Sequence, residues 1–167
     1  DLAKDFNRKL TDEDFYVSIP KYMTETFDLN TDASVQYENQ IKETYFTVLS
    51  EPIEELEYFR DEYYQEDSVK TMLDFYADLQ MGDFMEGEEF LNEPKIKDLT
   101  INGLNAKQVY LVGRFGDVIL NLGYVITIIE GKENMYMLSN WTLKNRIGKY
   151  RSTFKQIINS FELLEED

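Results

Sequence analysis

Oxygen-bearing side chains at alternate positions are the first candidates for chemistry: Asp28-Leu29-Asn30-Thr31-Asp32-Ala33-Ser34. A calcium loop wraps its ion with ligands at every second residue, and Asp28, Asn30, Asp32 and Ser34 fit the first four such slots. The match then stops. Ala33 stands where the sharp turn calls for glycine, and Asn39 stands where a bidentate Glu closes the shell. The segment from Val35 onward reads as a strand and not as an exiting helix. Residues 28–34 are therefore read as a polar turn between strands, with calcium on Asp28, Asn30 and Asp32 as the alternative. Asp83, Glu86, Glu88 and Glu89, beside Gly82 and Gly87, make a second oxygen-rich cluster. Solvated loop charge accounts for it, with a weakly held hard cation as its alternative.

The chain has no histidine and no cysteine. Those side chains supply most bases tuned near neutrality and most ligands of borderline metals. Their absence removes Ser-His-Asp and Cys-His catalysis, closed zinc sites and CxxC redox pairs together. Carboxylate, lysine, tyrosine and hydroxyl chemistry remain. With 33 acidic residues, two carboxylates fall at any chosen spacing by chance, so no pair stands out. No catalytic, cofactor-binding or metal-ligating residue is assigned, and the chain is read as a non-enzyme that needs no cofactor. A weak divalent-cation or small-ligand-binding module using the carboxylate loops is kept as the second reading and a carboxylate-dependent hydrolase as the third; the latter requires a pocket that raises the pKa of one Asp or Glu.

Charge narrows the partners. A net charge of −16 opposes binding to nucleic acid or to an anionic membrane through the overall field. The charge is uneven: residues 38–93 hold 17 acids and 3 bases, residues 94–167 hold 8 and 10. The middle is thus read as a solvated helix face packed near a complementary basic helix, with a basic protein partner docking on it as the alternative. The contact for a protein partner would be this acidic helical surface or an exposed sheet face. Hydrophobic residues at 43%, with 12 Tyr and 11 Phe, supply a core despite the charge. The longest apolar run, Val118 to Ile129, is broken by Asn121, Gly123 and Thr127 and reads as strand, so no transmembrane segment is expected. The chain starts at Asp1 with polar residues, which suggests a processed export signal and an extracytoplasmic setting, whether periplasmic, secreted or lipid-anchored upstream.

The elements that must position these groups come in blocks. Residues 1–14 read as a polar tail or short helix. Phe15 to Ile19, Thr26 to Leu29, Ala33 to Glu38 and Tyr45 to Leu49 read as strands; Pro20 stops the first and alternation marks the third. Ser50-Glu51-Pro52 reads as a helix start, with Ile53, Leu56, Phe59 and Tyr63 at helical spacing. A second start at Asp67-Ser68 leads into Val69, Met72, Leu73, Tyr76 and Leu79, and Gly82 to Glu89 reads as a loop. Ala106–Phe115, Val118–Glu130 and Asn134–Thr142 form a meander, with Asn102-Gly103, Gly116-Asp117 and Gly131-Lys132 as turns. Leu143, Ile147, Tyr150, Phe154, Ile157, Ile158 and Phe161 then make a helical stripe. With no repeat, low-complexity tract or linker, residues 1–167 are read as one α+β domain. Its order is β-β-β-β-α-β-β-β-α, an antiparallel sheet of about seven strands flanked by amphipathic helices.

Phe15-Tyr16-Val17-Ser18-Ile19-Pro20, Asp32-Ala33-Ser34-Val35-Gln36-Tyr37, and Trp141 followed by Tyr150, Phe154, Ile157, Ile158, Ser160 and Phe161 carry a resemblance. On these patterns the chain resembles the PsbP-like fold family, whose fold a Ran-release factor and small bacterial lipoproteins share. The resemblance implies a binding or assembly protein without a known active site, and therefore a protein partner. Trp141 is expected to pack in the core or at the sheet edge, with a partner anchor as the alternative. Asn140-Trp141-Thr142 is a glycosylation sequon that a buried strand end hides. Tyr58, Tyr63 and Tyr64 among acids are candidates for a sticky aromatic face.

Overall fold

The computed structural model describes residues 2–11, 14–63, 71–86 and 89–165. After one helical turn, α1 (Leu2–Asp5), strands β1 (Phe6–Thr11) and β2 (Phe15–Pro20) form a hairpin. Then come β3 (Thr24–Glu25), β4 (Val35–Asn39) and β5 (Thr44–Pro52), followed by helices α2 (Ile53–Tyr63) and α3 (Met72–Met85). Strands β6 (Lys97–Ile101), β7 (Leu104–Gly113), β8 (Leu122–Glu130) and β9 (Asn134–Leu143) make the meander. A 3₁₀ turn at Lys144–Arg146 leads into α4 (Ile147–Asn159) and the short β10 (Glu162–Leu163). The class is α+β. A seven-stranded antiparallel sheet runs β3-β4-β5-β9-β8-β7-β6, beside a three-stranded sheet β1-β2-β10.

Both faces of the large sheet are covered, and alternation along its central strands shows how. On β9, Met135 and Met137 point to one side and Tyr136 and Leu138 to the other, all buried. On β8, Ile126 and Ile128 join the first side, Val125 and Ile129 the second. The first side packs beneath α2 and α3 through Leu56, Phe75, Tyr76 and Met81. The second packs beneath α4 and the small sheet through Phe154, Ile157, Phe161, Phe15 and Val17. Phe15, Tyr136 and Phe161 pack ring to ring with centroids 4.7–5.3 Å apart, tying the two sheets together. Each such buried Phe contributes about 1.5–3 kcal/mol by leaving water.

Several boundaries differ from the sequence expectation. Residues 1–14 hold a strand, β1, whose side chains from Asn7 to Leu10 are all exposed; with only Phe6 packed on the core, it has no hydrophobic period to read. Thr26 to Leu29 is not a strand; pairing stops at Glu25. Ser50, Glu51 and Pro52 do not start a helix. They extend β5, paired to Tyr136, Met135 and Asn134 of β9, and the helix starts at Ile53, whose amide bonds the Glu133 carbonyl. Pro52 sits at the last rung, where a missing N–H costs least. Gly82 lies inside α3: the Glu86 amide reaches back to its carbonyl, and Met81, Phe84 and Met85 pack onto the core. The cap of α3 is Thr71, accepting from the Asp74 amide, while the expected start at Asp67-Ser68 lies outside the described residues. The Asn102-Gly103 turn is as read, with φ of 46° and 81° closing the β6–β7 hairpin.

Two glycines test these placements. A Cβ on Gly131 would lie 2.6 Å from the Asn134 carbonyl oxygen and 2.7 Å from the Tyr136 ring, whereas one on Gly82 meets nothing within 4 Å. Urea melts should show Gly131→Ala destabilising by about 1–3 kcal/mol and Gly82→Ala stabilising by up to about 1 kcal/mol. A destabilised Gly82→Ala would contradict the helix there.

Candidate functional site

The two acidic helices meet the end of β5 at an open cleft of about 460 Å³. Its walls are apolar. Leu56 and Phe59 come from α2, one turn apart, and Phe75 and Leu79 come from α3 at the same one-turn separation. Leu56 and Phe75 anchor the helices to the sheet at 3% and 4% exposure, while Phe59 at 50% and Leu79 at 39% face solvent. Carboxylates ring the opening: Glu51 from β5, Asp78 and Asp83 from α3. On the outer side of α2, Glu54, Glu55, Glu57, Asp61 and Glu62 are exposed, with Tyr58 at 70% lying edge-on to Phe59.

Glu51 is the half-buried end of this acidic set. Burial raises its carboxyl pKa above the ordinary range; Gln80, whose amide donates to Oε1 at 3.1 Å, opposes this, and the charges of Glu55 and Asp32 add to it. Tyr76 lies beneath with a fully enclosed ring, and burial holds its phenol neutral. The result is an apolar slot under a negative rim. Such a site attracts a cation that carries an apolar body, and a side chain that excludes water there strengthens the charge contacts.

The residues singled out from sequence fare differently. In 28–34, Asn30 accepts from the Asp32 amide at 2.9 Å, an Asx turn. The buried Gln36 accepts from the Leu29 and Asn30 amides and donates to the Asn30 carbonyl, so its side chain pins the loop from within. Among the described residues no group of three carboxylates converges to hold a metal. The acids read as one loop are parted: Asp83 lines the cleft from inside α3, Glu86 caps that helix, Glu89 follows, and Glu88 lies outside the described residues. Tyr64 and the Tyr63 side chain also lie outside them. Trp141 is in mid-sheet, stacked between Tyr45 on β5 and Tyr124 on β8 at 5.4 and 5.1 Å. The sequon is closed, since Asn140 is fully buried. Lys107 bonds Asp98 at 2.8 Å and Asp74 at 3.0 Å, which raises its pKa and keeps it an ammonium, the opposite of a nucleophilic lysine. Sequence reading missed Glu51 as a site residue by placing it in a helical turn, and it took Leu79 for core; the available signal was the mixing of acids into the apolar spacing of α3.

No protein-family model and no curated protein matches the sequence. Solved structures do match in shape. The chain is similar to cyanobacterial PsbP (CyanoP) from Synechocystis sp. PCC 6803, at TM-score 0.61 and 13% identity, over 96% of this chain and 93% of that one. It is similar to LpqN, described as involved in cell envelope biogenesis of Mycobacterium tuberculosis, at TM-score 0.55 and 9% identity, over 90% and 83%. A Pseudomonas aeruginosa protein of unknown function, described as a putative regulator, gives TM-score 0.52 and 13% identity, over 97% and 98%. No helix among the described residues is long and apolar enough to cross a membrane.

The raised pKa of Glu51 makes a signed prediction. A carboxyl whose folded pKa exceeds its unfolded value contributes stability that is full below the unfolded value and is lost as pH rises through the folded one. At pH 7, Glu51→Gln should therefore melt above the wild type, and the gap should close as pH falls below the ordinary carboxylate range. Thermal melts across that range decide it; a gap independent of pH would mean burial is not the cause.

Proposed function

We propose, from its PsbP-like fold and this cleft, that the chain is a non-enzymatic recognition protein that binds a basic segment of a protein partner between α2 and α3. The observation that supports this reading is the combination of solvent-facing Phe59 and Leu79 with Glu51, Asp78 and Asp83 around one slot. Apolar anchors in a pocket carry most of the energy of an interface, while rim charge sets encounter rate and selects sign. A helix or extended segment with Lys or Arg flanking one large apolar side chain has the matching chemistry. The acidic outer face of α2 extends the same field and steers such a segment towards the slot. An extracytoplasmic setting goes with this proposal, supported by the likeness to a mycobacterial protein involved in cell envelope biogenesis. Cell fractionation with detection of the chain tests that part.

The binding reading is tested on a partner captured from the source cells. Phe59→Ala removes an exposed ring without touching the core, and Asp78→Lys reverses one rim charge. Each should weaken capture roughly tenfold or more, as loss of an interface anchor does. Raising salt from about 0.05 M to about 0.5 M shortens the Debye length severalfold and should weaken it further. A partner held equally well by wild type and both variants, and at both salt levels, does not use this cleft.

A further inference from the structure

The opposite face of the large sheet carries a second cleft of about 510 Å³, and its charge is reversed. Lys95 and Lys97 rise on one rim, Arg151 and Lys155 on the other, and Glu93 is the one acid among the described lining residues. The fold brings these cations together from separate places. Arg151 and Lys155 sit one turn apart on α4. Lys97 opens β6, and Lys95 follows a segment held against the edge of β7, where Asn92 donates to the Tyr110 carbonyl and accepts from the Val112 amide. None of the four cations is ion-paired to a described residue. In a chain of net charge −16, four such cations around one hollow are a local reversal that the overall composition works against.

Between the rims the floor is apolar, formed by Leu99, Tyr110, Val125, Phe154 and Ile158. The Arg151 guanidinium lies 5.0 Å over the Tyr110 ring, a cation–π contact that holds its charge at the mouth. Burial also keeps the Tyr110 phenol protonated, against the smaller pull of Arg151. Two of the three amides in the lining are already engaged, Asn92 with the edge of β7 and Gln108 as donor to the Thr127 hydroxyl at 2.9 Å, while Asn159 is exposed. What the cleft offers a ligand is therefore positive charge above an apolar floor. We propose that this cleft binds a small amphiphilic anion, a carboxylate or phosphate monoester with an apolar body, its head between Arg151, Lys155 and the two rim lysines and its body over Phe154 and Leu99.

Magnitudes favour the local field over the net charge. The acidic helices lie across the sheet, about two layers or roughly 20 Å away at the usual layer spacing. That exceeds two Debye lengths at physiological salt, about 8 Å each, so their repulsion is largely screened at the cleft. The volume also falls within about 300–1,000 Å³, the usual range of small-molecule pockets.

The test uses the full chain and two fluorescent probes with nearly the same apolar body, anionic anilinonaphthalene sulfonate and uncharged phenylnaphthylamine. The anionic dye should bind at least about tenfold more tightly than the neutral one, and Arg151→Gln with Lys155→Gln should lower its affinity about five- to tenfold, the worth of two partly solvated charges. Lys149→Gln, on the same helix but outside the lining, should leave affinity unchanged. Decyl phosphate and decanoate should displace the dye at concentrations where inorganic phosphate does not. The proposal is overturned by equal binding of both dyes, by no dye binding, or by a double variant that binds like the wild type. Displacement by inorganic phosphate alone removes the role of the apolar floor. Displacement by an acidic peptide but not by decyl phosphate makes the cleft a protein contact instead. Arg151 and Lys155 are exposed, and melting curves of the variants separate lost binding from lost fold.

Discussion

Strand β9 has to bury both of its faces, and the other elements are arranged around that demand. Met135 and Met137 on one side and Tyr136 and Leu138 on the other are each at 5% exposure or less. A strand with apolar side chains on both faces needs two cover layers, and an antiparallel sheet with helices on one face alone leaves the other wet. Here α2 and α3 supply one cover, while α4 and the small sheet supply the other. Tyr136 does more than fill space: its hydroxyl donates to Asp14, so the polar tip of a core ring finds its partner in the turn joining β1 to β2. Desolvation, reinforced by Asp14, keeps that phenol protonated and the link neutral on the tyrosine side.

The two cover layers end in clefts because neither is wide enough to roof seven strands. Both clefts are floored by residues that continue the core, Phe75 and Leu56 on one face, Phe154 and Val125 on the other. They differ in the charge at the mouth, and that difference follows the chain: α2 and α3 come from the acidic middle, α4 and β6 from the slightly basic end. Segregation of charge along the sequence has thus become segregation across the sheet.

That relation sets how much could be read in advance. The α+β class, the antiparallel meander and the stripe of α4 were legible because period-2 and period-3.6 burial is written locally. The start of β5–α2 was not. Ser50-Glu51-Pro52 carries helix-start chemistry, yet rungs to Tyr136, Met135 and Asn134 hold it as strand, and those partners lie more than 80 residues away. β1 was illegible for the opposite reason, since an exposed edge strand leaves no pattern. The acids of 82–89 read as a loop because Gly82 reads as a breaker, although packing by Met81 and Phe84 carries the helix through it. For the sites, composition located the acidic region but not the slot, because Glu51 and Asp78 are 27 residues apart and meet only through the β5–α3 contact. The basic cleft was hidden in the same way, with Lys95 and Lys97 far from Arg151 and Lys155 until α4 lies across the sheet.

Opposite charge at the clefts on opposite faces also gives the molecule an electric dipole component across the sheet. In a uniform or surface field such a body experiences torque before it makes any contact, so it turns one chosen face towards a charged object while still a Debye length away. A net charge alone only attracts or repels; a transverse dipole also orients. Near a polyanionic layer the α4 face leads and the helical cleft is left pointing outward. Near a cationic one the order reverses. Which cleft is presented is then decided by the surroundings and not by any movement within the fold.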